Sequence, residues 1–179
     1  MAAADFCPKC GTPKSNPNAA FCGQCGSLLP KVNPIEYPQC GAQKHHDVFI
    51  SYSAKDKPVA DAVCNSLENN SVRCWIAPRD ILPGEDFPKS IISGINESKV
   101  MVLIFSASAN SSPHVIRELT KAMSKGVIII PFRIEDAPMS ESMMYLIGLP
   151  HWLDALTPPM EPHIDTLVRT VKMLVRDNR

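Results

Sequence analysis

The chain has 179 residues, 45% of them hydrophobic, enough to bury a sizeable core in one ordinary domain with a small appendage and too few for two large domains. Eighteen Lys and Arg balance eighteen Asp and Glu for a formal net charge of zero, so no global field draws the chain to nucleic acid or to an anionic membrane surface. The N-terminus has no basic n-region and no apolar h-region, and the longest apolar run, Val100 to Phe105, is far too short to cross a bilayer. The expectation is a soluble, cytoplasmic protein with no membrane partner.

Seven cysteines are an odd number, and without a signal peptide they read as reduced thiols or metal ligands rather than a disulfide framework. Five precede residue 41, in a stretch that also holds six of the seventeen Pro. From Asp47 the composition changes to alternating apolar runs and helical patterns. The expected organisation is a small unit over residues 1–30, a linker or degenerate second knuckle over 31–45, and the main domain over 46–179.

In the first unit, Cys7-Pro-Lys-Cys10-Gly11 and Cys22-Gly-Gln-Cys25-Gly26 are two C-x-x-C-G turns with eleven residues between Cys10 and Cys22. Each turn presents two thiolates to one ion, the Gly lets backbone N–H groups approach the sulfurs, and together they complete a tetrahedral shell. The pattern resembles a zinc ribbon: Cys7, Cys10, Cys22 and Cys25 would hold a structural Zn²⁺ in a closed site, with rubredoxin-like iron as the alternative. A segment this small has no other evident source of folding energy. Tyr37-Pro38-Gln39-Cys40-Gly41 repeats the turn with Tyr in place of the first Cys. His45 or His46 could supply a ligand there, and the plainer reading is a linker with an unligated thiol.

The main domain opens with a strand over Asp47 to Tyr52 and a helix over Asp56 to Asn69, with Pro58 in its first turn. Then come a strand at Val72 to Trp75, a helix at Pro88 to Glu97, a strand at Val100 to Phe105, a helix at Pro113 to Lys125 and a strand at Val127 to Phe132. A short helix at Ser140 to Ile147, a strand at His151 to Leu153 and a helix at Pro162 to Asp177 finish the chain. The last helix carries the apolar stripe Ile164, Leu167, Val168, Val171, Leu174 and Val175. Strict alternation, with strands apolar on both faces, predicts an α/β fold with a flavodoxin-like five-stranded parallel sheet, order 2-1-3-4-5, flanked by helices.

In such a sheet the functional crevice lies beyond the carboxyl ends of the strands. Four segments converge there: Ser51 to Ala54, Ile76 to Phe87, Ser106 to Ser112 and Arg133 to Asp136. Neither G-x-x-x-x-G-K-[ST] nor G-x-G-x-x-G occurs, which excludes a P-loop and a Rossmann phosphate cradle. The third strand ends in Phe105-Ser106 rather than the aspartate of a phospho-receiver. Cys64 in a helix and Cys74 in a strand, with no His nearby in sequence, read as small buried hydrophobes. The loop after the second strand and the segment after the third bring to the rim an indole, a guanidinium, a series of hydroxyls and the carboxylate of Glu118.

Three segments, Asp47-Val-Phe-Ile-Ser-Tyr-Ser53, Trp75-Ile-Ala-Pro-Arg-Asp-Ile-Leu-Pro-Gly84 and Ser106 to Leu119, resemble the three signature boxes of the Toll/interleukin-1 receptor (TIR) domain family, most of all its prokaryotic members. The match runs from about Asp47 to Asp177 in the right order. In the third box Ser106, Ser112, Glu118 and Leu119 fit the family pattern, while His114 stands for its Trp and Val115 for its Cys. The resemblance implies that Glu118 is the glutamate on which NAD⁺ cleavage depends in enzymatic members. One carboxylate suffices for that reaction, because nicotinamide departs as a neutral ring and needs no general acid, unlike an ordinary glycoside leaving group. A single anion can stabilise the oxocarbenium-like transition state or hold the ribose hydroxyls. Attack by water gives ADP-ribose; attack by the substrate's own adenine or a ribose hydroxyl gives a cyclic isomer.

The resemblance places further residues on the substrate: Ser51 and Ser53, which are otherwise turn formers; Trp75, which stacks on a base or caps the core; Arg79, which meets a phosphate or a neighbouring carboxylate; Leu82, an apolar wall; and Ser106, Ser112 and His114 from the third box. It also implies signalling or antiviral defence, activated when TIR domains self-associate so that the second-strand loop of one copy completes the crevice of the next. The ribbon would dock a sensor or activator. The rival reading is a non-enzymatic TIR adaptor in which Glu118 is incidental. A nucleic-acid-binding ribbon with Lys9, Lys14 and Lys31 is disfavoured by the balanced charge.

Overall fold

The structure is a computed structural model and describes residues 9, 10, 12, 22, 24, 25, 46–148 and 151–177. The chain forms two compact units, Met1–Gln43 and Lys44–Arg179. In the second unit, strands β1 (Val48–Ser51), β2 (Cys74–Ile76), β3 (Val100–Phe105), β4 (Ile128–Arg133) and β5 (Leu153–Asp154) alternate with helices α1 (Lys57–Asn69), α2 (Phe87–Glu97), α3 (Ala107–Asn110), α4 (Pro113–Ser124), α5 (Glu141–Ile147) and α6 (Glu161–Asp177). All pairings are parallel and the sheet order is β2-β1-β3-β4-β5, the order that strict strand and helix alternation leads one to expect.

The central strand β3 shows why the sheet must be covered on both sides. All six of its residues are buried. Successive side chains point to opposite faces, so Val100, Val102 and Ile104 enter one core with α1 and α6, while Met101, Leu103 and Phe105 enter a second with Val115 and Leu119 of α4. Each such aliphatic burial stabilises the fold by about 1.5–3 kcal/mol. The stripe of α6 packs in the first core through Leu167, Val168 and Val171. Among the described residues, no helix is long and apolar enough to cross a membrane.

Two local departures from the sequence expectation bear on the site. The strand expected from Val72 starts at Cys74, because Ser71 sits at φ +62° and Val72 N–H is still tied to Leu67 O at 3.1 Å as the end of α1 unwinds. The hydroxyl-rich segment after β3 is a helical turn, α3, rather than a loop. Ser106 caps it, its Oγ accepting from Ala109 N–H at 3.0 Å, which satisfies an otherwise orphaned donor.

Candidate active site

Helix α4 carries the candidate carboxylate. Ser112 caps its first turn, accepting from Val115 N–H at 3.4 Å, and Pro113 is pre-set for that turn. Val115, Leu119 and Ala122 are fully buried, and this apolar spacing fixes the rotation of the helix. Glu118, one residue before Leu119, is thereby half-buried at a groove of about 470 Å³ between α2 and α4. Its floor and wall are Phe87, Ile91, Ile92 and Ile95, with His114, Arg117 and Lys121 along the α4 side.

The last residue of β1, Ser51, is fully buried and donates its hydroxyl proton to Glu118 Oε2 at 2.6 Å. Desolvation pushes the Glu118 carboxyl up to about 7, and the Ser51 hydrogen bond opposes that rise. A carboxyl with this value exchanges its proton near neutral pH, as groups in reaction sites are commonly arranged to do.

The neighbouring loop contributes a second carboxylate that sequence reasoning passed over. Asp56, at the start of α1, accepts from Ser106 Oγ at 2.6 Å. Ser106 is therefore engaged twice, as donor to Asp56 and as cap of α3, with 2% of its surface exposed. Ser53 precedes the helical turn Ala54–Asp56 and is partly exposed. The only sequence cue for Asp56 was its helix N-cap position. Tyr52 ties this loop to the next, its hydroxyl donating to Ala77 O, and burial is the first cause of its raised pKa.

The β2–α2 loop has a pinned half and an exposed half. Trp75 lies in the core, stacked on Phe49 with ring centroids 4.8 Å apart, and α2 approaches it so closely that a Cβ on Gly94 would stand 2.7 Å from the indole. Arg79 forks onto Glu68 of α1 at 2.8 and 3.0 Å and also pairs with Asp80 at 2.9 Å. Asp80 in turn accepts from Ile76 N–H at 2.8 Å. Beyond these anchors Leu82 is 63% exposed, and Gly84 turns the chain at φ +90°, a conformation that suits glycine.

These residues divide between the two faces of α2. Ile91, Ile92 and Ile95 face the groove of Glu118 and His114, whereas Ser90, Ser93, Gly94 and Glu97 face a second hollow lined by Trp75, Arg79 and Leu82. Within one chain Ser51, Glu118 and His114 come together, and Trp75, Arg79 and Leu82 gather elsewhere.

In the first unit, the sulfurs of Cys10, Cys22 and Cys25 lie within 4.8 Å of one another, with Cys10 Sγ 3.6 Å from Cys22 Sγ and 3.1 Å from Thr12 Oγ1. Converging thiols are the donor set Zn²⁺ favours, so these three fit the ion. Cys7, Cys40 and His45 lie outside the described residues, as do 31–45 as a whole.

The family model for the TIR domain matches residues 48–168, while no curated protein matches the chain. Among solved structures, the TIR domain of the Toll-related receptor TRR-2 from Hydra magnipapillata superposes with a TM-score of 0.61 at 22% identity, over 71% of this chain and 98% of that one. The TIR domains of the activated Roq1 resistosome, which directly recognises the pathogen effector XopQ, give 0.62 at 15% identity, over 70% and 99%. A metazoan TIR-STING receptor from C. gigas gives 0.54 at 22% identity, over 71% of this chain and 41% of that receptor.

Proposed function

We infer the function of this chain from its membership: the chain belongs to the TIR domain family, whose model covers residues 48–168. We propose that it cleaves the nicotinamide–ribose bond of NAD⁺, releasing nicotinamide with ADP-ribose or a cyclic ADP-ribose isomer, in cytoplasmic signalling or antiviral defence of the prokaryotic type.

The observation that carries this reading is Glu118, a desolvated carboxyl with a pKa pushed up to about 7, bound by Ser51 at the head of an apolar groove. A neutral leaving group needs no acid, so the ionised carboxylate is the working form, stabilising positive charge that develops on the ribose. In a poorly solvated site that attraction is stronger than in water. Phe87, Ile91 and Ile92 offer an apolar wall to an aromatic ring, and Arg117 and Lys121 offer cations to phosphates. His114 stands at the same groove, and Ser51, Ser106 and Ser112 order the elements around it.

Self-association completes the site in this proposal. Trp75, Arg79 and Leu82 lie on the far face of α2 from Glu118, so one copy supplies the groove and the exposed Leu82 loop of a neighbour closes it. The similarity to TIR domains of a resistosome supports assembly as the working state. Residues 1–30 form a ribbon holding structural Zn²⁺ through Cys7, Cys10, Cys22 and Cys25, joined by 31–45 to the TIR domain at 46–179, and the ribbon docks a sensor or activator.

The test is concentrated protein incubated with NAD⁺, followed by chromatography with mass detection, beside Glu118→Ala checked for folding. Nicotinamide release by the wild type, with a loss of about 10²-fold or more in the variant, is the expected result. No release from either protein, even when crowded into assemblies, would leave the adaptor reading, in which the Leu82 loop only binds a partner.

A further inference from the structure

We infer that Cys64 and Cys74 form a peroxide-oxidisable thiol pair, a modification site assembled by α1, β2 and Arg79 at the base of the β2–α2 loop. The inference is independent of whether NAD⁺ is cleaved.

Cys64 lies on α1 and Cys74 opens β2, so ten positions of sequence separate them, yet their sulfurs lie within 4.8 Å of each other and of a Glu68 carboxylate oxygen. Both carry reduced thiols. The Arg79 guanidinium stands 3.3 Å from Cys64 Sγ while its other nitrogen donates to Cys74 O at 3.1 Å. Two thiols and a carboxylate this close would also suit a soft cation. Here, however, Arg79 is the cation of the cluster, forked onto Glu68 and touching the sulfur directly.

A thiolate beside a fixed guanidinium is the reactive form of cysteine. The neighbouring Cys74 sulfur, and then the Arg79 charge, hold the Cys64 thiol below its usual range, while Cys74 Sγ itself donates to Val72 O at 3.7 Å. Hydrogen bonding to Cys64 and burial push the Cys74 thiol up. Cys64 is thus the attacking sulfur and Cys74 the resolving one. Cys74, Glu68 and Arg79 line an open hollow, while Cys64 lies outside that lining and is 2% exposed, so an oxidant the size of hydrogen peroxide has to pass those side chains to reach the Cys64 sulfur.

The chemistry balances with that oxidant. The Cys64 thiolate attacks one peroxide oxygen, the O–O bond breaks, and Cys64 sulfenic acid forms with loss of hydroxide, which takes up a proton as water. The Cys74 sulfur then attacks the sulfenic sulfur, an S–S bond forms, and the S–O bond breaks to release a second water. The two sulfurs lose two electrons in total and the two peroxide oxygens gain them. Closing the sulfurs to a bond length of about 2.05 Å turns the Cys64 thiolate into a neutral disulfide sulfur, so Arg79 loses that charge as a partner and keeps Glu68 and Asp80. The anchor that holds the pinned half of the loop below Leu82 is thereby weakened.

The experiment treats the full-length protein with a small excess of hydrogen peroxide, quenches in acid, unfolds, alkylates and maps peptides by mass. The expected product is a Cys64–Cys74 linked peptide pair lighter by two hydrogens. Arg79→Gln is expected to slow its formation about tenfold, because the thiolate loses its cation. Cys74→Ser is expected to halt at Cys64 sulfenic acid, captured by dimedone. Hydrogen exchange of residues 76–87 should quicken in the oxidised protein. Oxidation confined to Cys7, Cys10, Cys22, Cys25 and Cys40, with Cys64 and Cys74 recovered as alkylated thiols, overturns the proposal. So does an Arg79→Gln protein that oxidises at the wild-type rate.

Discussion

Ser51 Oγ lies 2.6 Å from Glu118 Oε2, joining the end of β1 to the second turn of α4. The bond crosses from the central sheet to the helix that covers it, so the carboxylate is oriented by the fold and not by its own flexible side chain. Ser51 has no exposed surface, which makes it a positioning residue for Glu118 before it is anything to a ligand.

The raised pKa of Glu118 sets a direction for stability. Below about pH 4.5 the carboxyl is protonated in folded and unfolded chains alike; between 4.5 and about 7 the folded chain keeps a proton that the unfolded chain has lost. Stability therefore falls as pH rises through that window, by at most about 3 kcal/mol. Urea denaturation at pH 5 and pH 8 should show this loss in the wild type and not in Glu118→Gln. Parallel behaviour of the two proteins would mean that the carboxyl is well solvated.

Replacing Ser51 by Ala removes the hydrogen bond that lowers the Glu118 pKa. The pH profile of NAD⁺ cleavage should rise through a limb near 7 in the wild type and through a higher one in Ser51→Ala, with the plateau at high pH largely retained. A limb that stays in place while the plateau falls would make Ser51 a substrate contact instead. The accompanying stability loss is about 1–3 kcal/mol, as for a hydrogen bond to a charged group.

A shared site predicts rescue in trans. Leu82→Glu should abolish cleavage and self-association while changing chain stability by no more than about 0.5 kcal/mol, since the side chain is exposed. Mixed with Glu118→Ala, which keeps an intact loop, it should regain part of the wild-type rate. Two inactive proteins that remain inactive when mixed in assembled form would exclude a loop donated between copies.

Gly94 is predicted to tolerate no side chain. A Cβ there meets the Trp75 ring at 2.7 Å, and Trp75 is held from behind by Phe49. Gly94→Ala should destabilise the protein by about 1–3 kcal/mol, read by chemical denaturation, and displace the wall between the two hollows of α2. An unchanged midpoint would show that α2 can withdraw from the indole.

Metal analysis of the purified full-length chain should find one Zn²⁺ per molecule, lost in Cys22→Ser. Cys22 is 8% exposed and central to the thiol cluster, so its loss opens the shell. Because the ribbon would fold on its metal, a chelator should unfold residues 1–30 while the melting of the second unit stays in place. A chain that binds no zinc, or binds it equally in Cys22→Ser, contradicts this assignment.

The sequence by itself determined the order of strands and helices, the parallel sheet and the family. The elements and the sheet follow from local periodicity, since the run Val-Met-Val-Leu-Ile-Phe is apolar on both faces, and the family from the resemblance of three short segments to its signature boxes. It also singled out Glu118, through the resemblance of the third segment to the family's third box. Only the tertiary structure decided that Glu118 is desolvated and bound by Ser51, that Asp56 meets Ser106, that Trp75, Arg79 and Leu82 lie on the far face of α2, and that Cys64 and Cys74 meet beside Arg79. Each of these is a through-space distance between residues on different elements. Desolvation and ion pairing depend on such distances, and nothing in the pattern of a single strand or helix records them.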